Sequence, residues 1–200
     1  MSVSPESSKD IEVELRVYDV DGDALRETLR SLGAVSLGEQ TFKRAVLDVH
    51  PVNPNKWIRV RSDGTETTLA VKQRAGENED TGEFDGEIEE TVESFETTLK
   101  ILSSLGFEAR SIQESRRDSY TIDGAEVSID SWPKLKDFLE IEAKDRNTST
   151  DEQKAEIFRV AERLGIDTNT LTTEAVEQRY LDTLGIDVRT TRFLTFDAQE

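Results

Sequence analysis

Strict alternation of fully charged with apolar residues, repeated in segment after segment, is the feature that most constrains this chain. Residues 11–17 read Ile-Glu-Val-Glu-Leu-Arg-Val. Successive side chains of a β-strand point to opposite faces. Ile11, Val13, Leu15 and Val17 therefore share one face, and Glu12, Glu14 and Arg16 the other. Arg59 and Arg61, Glu87 and Glu89, and Glu140 and Glu142 alternate with apolar neighbours in the same way. Lys72 faces away from Leu69 and Val71, and Asp130 away from Val127 and Ile129. An antiparallel sheet with one solvated face accounts for any one such strand. Two details go further. Acid pairs and base pairs are segregated on different strands. The acids also recur as Glu-x-Glu, which sets two carboxylates on one face about 7 Å apart.

Helices separate these strands. Asp21, Gly22 and Asp23 predict a turn and N-cap, followed by a helix that ends at Gly33. Strands are expected over Phe42 to Val49, Trp57 to Arg61, Thr67 to Lys72, Glu87 to Val92 and Phe138 to Ala143. Ala75 to Phe84, rich in Gly and acid, reads as a mobile loop. Ser94 caps a second helix that ends at Gly106. Asp123-Gly124 joins Gln113 to Ile122 and Glu126 to Asp130 as a hairpin. Thr150 is expected to cap a third helix, with Gln153 completing a capping box. A fourth runs from about Glu174 to Leu184.

A weak internal repeat runs through this order. Glu12-x-Glu14 leads to a helix ending Ser31-Leu32-Gly33, with Arg44 eleven residues on. Glu87-x-Glu89 leads to a helix ending Ser104-Leu105-Gly106, with Arg117 at the same offset. Two related halves, each giving acids and bases to one site, explain this, and so does chance similarity between two strand–helix units.

Composition narrows the chemistry. The 200 residues carry 43 acids against 25 bases, a net charge of −18. Such a chain repels nucleic acid and anionic lipid. No apolar run approaches a membrane span, and residues 1–9 lack the apolar core of a signal peptide. A cytoplasmic protein is expected. No cysteine is present, so disulfides, thiolate metal sites and a Cys nucleophile are excluded. The single histidine, His50, precedes Pro51 at a strand end and reads as structural. Neither a Gly-x-Ser-x-Gly elbow nor a phosphate-binding Gly-x-x-x-x-Gly-Lys loop occurs. Any metal must sit on oxygen ligands, which points to Mg, Mn or Ca. Scarce Lys, many Thr and abundant acid resemble proteins of salt-loving organisms.

Paired carboxylates suit a hard divalent cation, and Arg and Lys suit phosphate oxygens. Both on one face suggest a metal–polyphosphate complex. These residues resemble the CYTH family, the triphosphate tunnel metalloenzymes. Its opening Glu-x-Glu-x-Lys is matched by Glu12-Val13-Glu14-Leu15-Arg16, with Arg in place of Lys. Its basic strand is matched by Ile58-Arg59-Val60-Arg61, its lysine strand by Leu69-Ala70-Val71-Lys72, and its central acids by Glu87-Ile88-Glu89. Arg117 with Tyr120, Ile129-Asp130 and Glu140-Ile141-Glu142 follow in the family's order. The local wording is most similar to sequences described as class IV adenylate cyclase-like.

The resemblance implies an α+β fold: a closed antiparallel β-barrel of about eight strands around a polar tunnel, with helices packed outside. It implies a single domain over residues 10–185, with 1–9 a disordered leader and 186–200 a tail. It implies a small-molecule triphosphate substrate and Mg²⁺ or Mn²⁺ held by Glu12, Glu14, Asp130, Glu140 and Glu142. Arg16, Arg59, Arg61, Lys72 and Arg117 would bind the phosphates, with Arg44 and Arg74 as weaker candidates. Catalytic parts fall to Arg16, Lys72, Glu87 and Glu89. The leading expectation is cyclisation of ATP to cyclic AMP and pyrophosphate, as in class IV adenylate cyclase; hydrolysis of an inorganic or organic triphosphate is the alternative, and binding without turnover the second alternative. The C-terminal helix and Phe193-Leu-Thr-Phe196 read as a cover for a barrel end or as a homodimer contact. The seven acids and five bases of this site account for only −2 of the net charge, so the remaining −16 belongs elsewhere on the chain.

Overall fold

The computed structural model describes residues 13–74, 84–145 and 148–197, with side chains left aside at 74 and 84–87. Its elements run β1 (Glu14–Val17), α1 (Gly22–Ser31), β2 (Val35–Asn53), β3 (Lys56–Ser62), β4 (Thr67–Arg74), β5 (Phe84–Val92), α2 (Phe95–Ser104), β6 (Ala109–Ile122), β7 (Ala125–Ser131), β8 (Phe138–Ala143), α3 (Thr150–Arg163), α4 (Val176–Leu184) and β9 (Phe193–Leu194). The class is α+β, as expected. No described helix is long and apolar enough to cross a membrane.

The described residues fall into two compact units. The first takes residues up to 38, then 118–130 and 137–173; the second takes 39–117, 131–136 and the residues from 174. The chain passes from the second unit to the first within β6, after Arg117.

The first unit is ordered β1-β8-β7-β6. Leu15, Val17, Val127, Ile129, Leu139 and Ile141 form one dry face, covered by Leu25 and Leu29 of α1 and Ile157, Val160 and Ala161 of α3. Each fully buried side chain of this kind contributes about 1.5–3 kcal/mol. Asp21 caps α1, its Oδ1 accepting from the Ala24 N–H at 3.0 Å. The edge of β1 is closed by two backbone hydrogen bonds between Arg16 and Thr172, which leaves less of it open to foreign pairing. Asp123 and Gly124, at φ 52° and 87°, make the β6–β7 turn that Asp-Gly predicts.

The second unit is ordered β6-β2-β3-β4-β5, with β9 lying parallel to β6 at Ile112 and Gln113. Ala45, Leu47, Ile58 and Val60 form its dry face, packed on Phe95 of α2. Ser94 caps α2 by accepting from the Thr97 N–H at 3.2 Å.

Three expectations are corrected. Helix α3 is capped by Ser149 with Glu152, not by Thr150 with Gln153. Both pairs have the capping-box spacing one residue apart. Glu152 is exposed and can reach back to the Ser149 N–H, whereas Gln153 is buried and donates to the Thr148 carbonyl oxygen. Strand β2 begins at Val35, seven residues early; residues 35–41 are all exposed, and their one alternating stretch, Val35-Ser36-Leu37, stops at Gly38. Within the expected tail of residues 186–200, Phe193–Leu194 forms a short strand, and only backbone pairing to β6 reveals it.

Candidate active site

The first unit gathers acids on the polar face of three strands, the face opposite its apolar core. Antiparallel register sets Glu14 opposite Glu142 and Arg16 opposite Glu140. On the far side of β8, Glu142 faces Glu126, Glu140 faces Ser128 and Phe138 faces Asp130. Period-two geometry puts all these polar residues on one face, away from the core. Asp130 is buried and accepts from Ser128 Oγ at 2.9 Å.

Arg16 lies among the acids. Its Nε donates to Glu140 Oε2 at 2.9 Å, and its Nη2 pairs with Glu14. Burial pulls the guanidinium pKa down, but the attraction of Glu140 and Glu14 outweighs it and the net shift is upward. The residue expected to face phosphate therefore bridges two expected metal ligands. Among the described residues, no three Asp, Glu or His side chains are grouped closely enough to hold a metal as they stand. Glu12, the fifth expected ligand, lies outside the described residues.

The second unit gathers the cations. Register places Arg44 opposite Arg61, Arg59 opposite Ala70, Trp57 opposite Lys72, Ala70 opposite Glu89 and Lys72 opposite Glu87. Arg44, Arg59, Arg61, Ala70, Lys72 and Glu89 lie on the face opposite Leu47, Ile58 and Val60. Arg59 Nη2 donates to Glu89 Oε2 at 2.9 Å, and Thr68 Oγ1 donates to the same oxygen at 3.2 Å. Arg61, Asp63, Glu66, Thr68 and Glu89 line a polar cleft of about 190 Å³. The Arg61 pKa is lowered by burial and by the like charges of Arg59 and Arg117. Such a group gains by the arrival of an anion. The side chains of Arg74 and Glu87 lie outside the described set.

Sequence reading missed the aromatic backing of this face. Phe42 is buried with the Arg61 guanidinium 4.5 Å from its ring centroid. Arg44 stands between the Phe42 and Trp132 rings, at 5.3 and 4.9 Å. The signal was present for Phe42: it lies two residues before Arg44, hence on the same face. Trp132 lies far away in sequence and carries no such mark.

A family model described as the CYTH domain matches residues 9–176. Among solved structures, the PH1012 protein of Pyrococcus horikoshii is 23% identical with TM-score 0.64, over 82% of this chain and 96% of that one. A Vibrio parahaemolyticus protein presented as a candidate adenylate cyclase is 14% identical with TM-score 0.64, over 84% and 95%. A Hippeastrum protein presented as a candidate adenylyl cyclase with a dominant triphosphatase activity is 14% identical with TM-score 0.57, over 94% and 99%. At such identities the likeness speaks for the fold. No curated protein matches this chain.

Proposed function

The chain belongs to the CYTH domain family, and from that premise we propose that it is a divalent-metal-dependent enzyme acting on a triphosphate. The observation that carries this reading is the pair of charged faces: acids on β1, β7 and β8, and cations on β2, β3, β4 and β6. The family's closed barrel and polar tunnel are part of the same reading.

Arg59, Arg61, Lys72 and Arg117 bind the phosphate oxygens. Mutual repulsion around Arg61 supports this, since phosphate relieves it. Glu14, Asp130, Glu140 and Glu142, with Glu12, hold Mg²⁺ or Mn²⁺. The fit is chemical: carboxylate oxygens on one face suit a hard cation. When bound, the metal supplies Lewis-acid charge that offsets charge developing on phosphate. Arg16, the remaining cation of the expected phosphate set, orients Glu14 and Glu140 through its hydrogen bonds. Glu89 would accept the proton of the attacking oxygen, with Glu87 as its strand neighbour; its position on the cleft beside Arg61 and Thr68 supports this role.

Hydrolysis is the simpler reaction for these groups. Water attacks the terminal phosphorus, the bridging P–O bond breaks, and a diphosphate leaves. It asks only for recognition of charge. Cyclisation of ATP, in which the ribose 3′-hydroxyl attacks the α-phosphorus and pyrophosphate leaves, requires a base site in addition. The wording of Trp57 to Arg61, Asp130 to Pro133 and Phe138 to Glu142 favours that second reading. Incubation with tripolyphosphate or ATP plus Mg²⁺ or Mn²⁺ separates them by product. Free phosphate is expected; cyclic AMP would replace hydrolysis by cyclisation. Metal-dependent binding without turnover would reduce the chain to a binding module.

A further inference from the structure

The polar face of the second unit is a grid of cross-strand rows. Arg44, Arg61 and Thr68 make one row, and Val46, Arg59, Ala70 and Glu89 the next. Asp48, Trp57 and Lys72 make the third. All of them belong to that unit. Trp57 stands two positions before Arg59 and four before Arg61 on β3, so the indole shares their face. Ile58 and Val60 turn the other way, into the dry core. Trp57 is half-buried, and its place among charged neighbours is one that core packing does not require.

Asp48 is the neighbour of Trp57 across the β2–β3 pair, where Cβ atoms stand about 5 Å apart. The Asp48 side chain is 39% exposed, and its Oδ1 accepts from Arg110 Nη1 at 2.8 Å. That ion pair offsets the carboxylate charge, so Asp48 repels a nearby polyphosphate less than a bare acid would. A carboxylate only accepts hydrogen bonds. A ring and a carboxylate offer nothing to inorganic triphosphate, which is all acceptor. They suit a flat group with an N–H donor at its edge, which is a nucleobase with an amino group. The spacing agrees. Arg59 lies about 7 Å and Arg61 about 13 Å from Trp57 along the strand. A base at Trp57 therefore leaves its phosphate chain running toward the two arginines.

We propose that Trp57 and Asp48 form a nucleobase subsite beside the phosphate-binding cations. The substrate is then a nucleoside triphosphate whose base carries an amino group, stacked on Trp57 and donating to Asp48. The proposal rests on the triphosphate reading above and narrows its substrate. It holds for hydrolysis and for cyclisation alike. Tripolyphosphate still meets the cations and remains a ligand, but it leaves this row unused.

Rapid-filtration binding to the full chain with Mg²⁺, at short contact times, tests it. The ligands are labelled ATP and labelled tripolyphosphate, with UTP, whose base has no amino group, as a competitor. Trp57→Leu should weaken ATP binding roughly 10- to 100-fold, the loss of one base–aromatic stack, and leave tripolyphosphate unchanged. Asp48→Ala should weaken ATP roughly 10-fold and leave UTP unchanged. In a Trp132→Phe chain, Trp57 is the only tryptophan; ATP should quench its emission and tripolyphosphate should not. Equal losses of both ligands in Trp57→Leu, or no loss of either, overturn the stacking role. An Asp48→Ala chain that binds ATP as the wild type does, or that loses ATP and UTP alike, overturns the amino-group contact. Should Trp57→Leu fail to fold, the fluorescence decides, and equal emission with and without ATP overturns the subsite. A wild-type chain that binds neither ATP nor tripolyphosphate overturns the triphosphate reading and this proposal together. Wild-type binding of both, with ATP indifferent to Trp57→Leu, overturns this proposal alone.

Discussion

Arg61 and Arg16 are cations of opposite character. Arg61 sits with Arg59 and Arg117 and is destabilised by burial and by their charge. Arg16 sits with Glu140 and Glu14 and is stabilised by them. The difference yields a pH prediction. Arginine stays protonated at working pH even when its pKa is lowered. A lysine at the same crowded place has a pKa below its ordinary value of about 10.4. The cation is the acid form, so it is lost as pH rises through that depressed pKa. Arg61→Lys should therefore bind tripolyphosphate near neutrality and lose affinity on the alkaline side, while the wild type holds. Parallel pH profiles would contradict the repulsion argument. At Arg16, removal leaves Glu140, whose side chain is 8% exposed, without its guanidinium partner. Arg16→Ala should lower stability by about 1–3 kcal/mol in urea unfolding, whereas Glu14→Ala, half exposed, should cost less. The parity of these residues was legible in the sequence. The Arg16 bridge to Glu140 was not, because the two are 124 positions apart and only the β1–β8 register brings them together.

The strands and helices were read with uneven success, for physical reasons. Strands β3, β4, β7 and β8 alternate cleanly because one face is dry and the other charged, so period two is written into them. The exposed start of β2, where alternation stops at Gly38, and the two residues of β9 carry too little pattern to read, since neither buries a face along its length. Helix α3 shows the limit of spacing rules. Ser149-x-x-Glu152 and Thr150-x-x-Gln153 are both capping boxes on paper, and burial of Gln153 decides between them. Ser149→Ala should cost about 1 kcal/mol in thermal or urea unfolding, and Thr150→Ala much less. Equal losses would return the cap to Thr150. The Glu152 carboxylate is lowered below its ordinary pKa by the Ser149 side chain and then by the Ser149 backbone N–H. Its contribution is thus complete above the ordinary glutamate pKa and is lost as pH falls through the depressed one. Glu152→Gln should flatten that acid limb, because the amide does not titrate.

At the scale of the whole molecule, charge divides by function. The proposed site is nearly balanced, so the net charge of −18 is carried almost wholly by the rest of the chain. If that acidity is an adaptation to salt, the melting temperature should climb from low salt to molar KCl as repulsion is screened. A melting temperature indifferent to salt would sink that reading. Family, fold class and the segregation of acid pairs and base pairs onto different strands were legible in residue order, because seven short motifs follow one another in the family's order. The division into two compact units was not, since β6 serves both and its sequence shows no break at Arg117. The central claim is that the chain catalyses a metal-dependent reaction on a triphosphate, for which carboxylates of β1 and β8 and arginines of β3 are each required. Its most direct measurement is phosphate release from tripolyphosphate with and without Mg²⁺ or Mn²⁺, in the wild type, in Glu14→Ala/Glu142→Ala and in Arg59→Ala/Arg61→Ala. The account predicts metal-dependent release by the wild type and its loss in both folded double variants. Full metal-dependent release by either variant would contradict it.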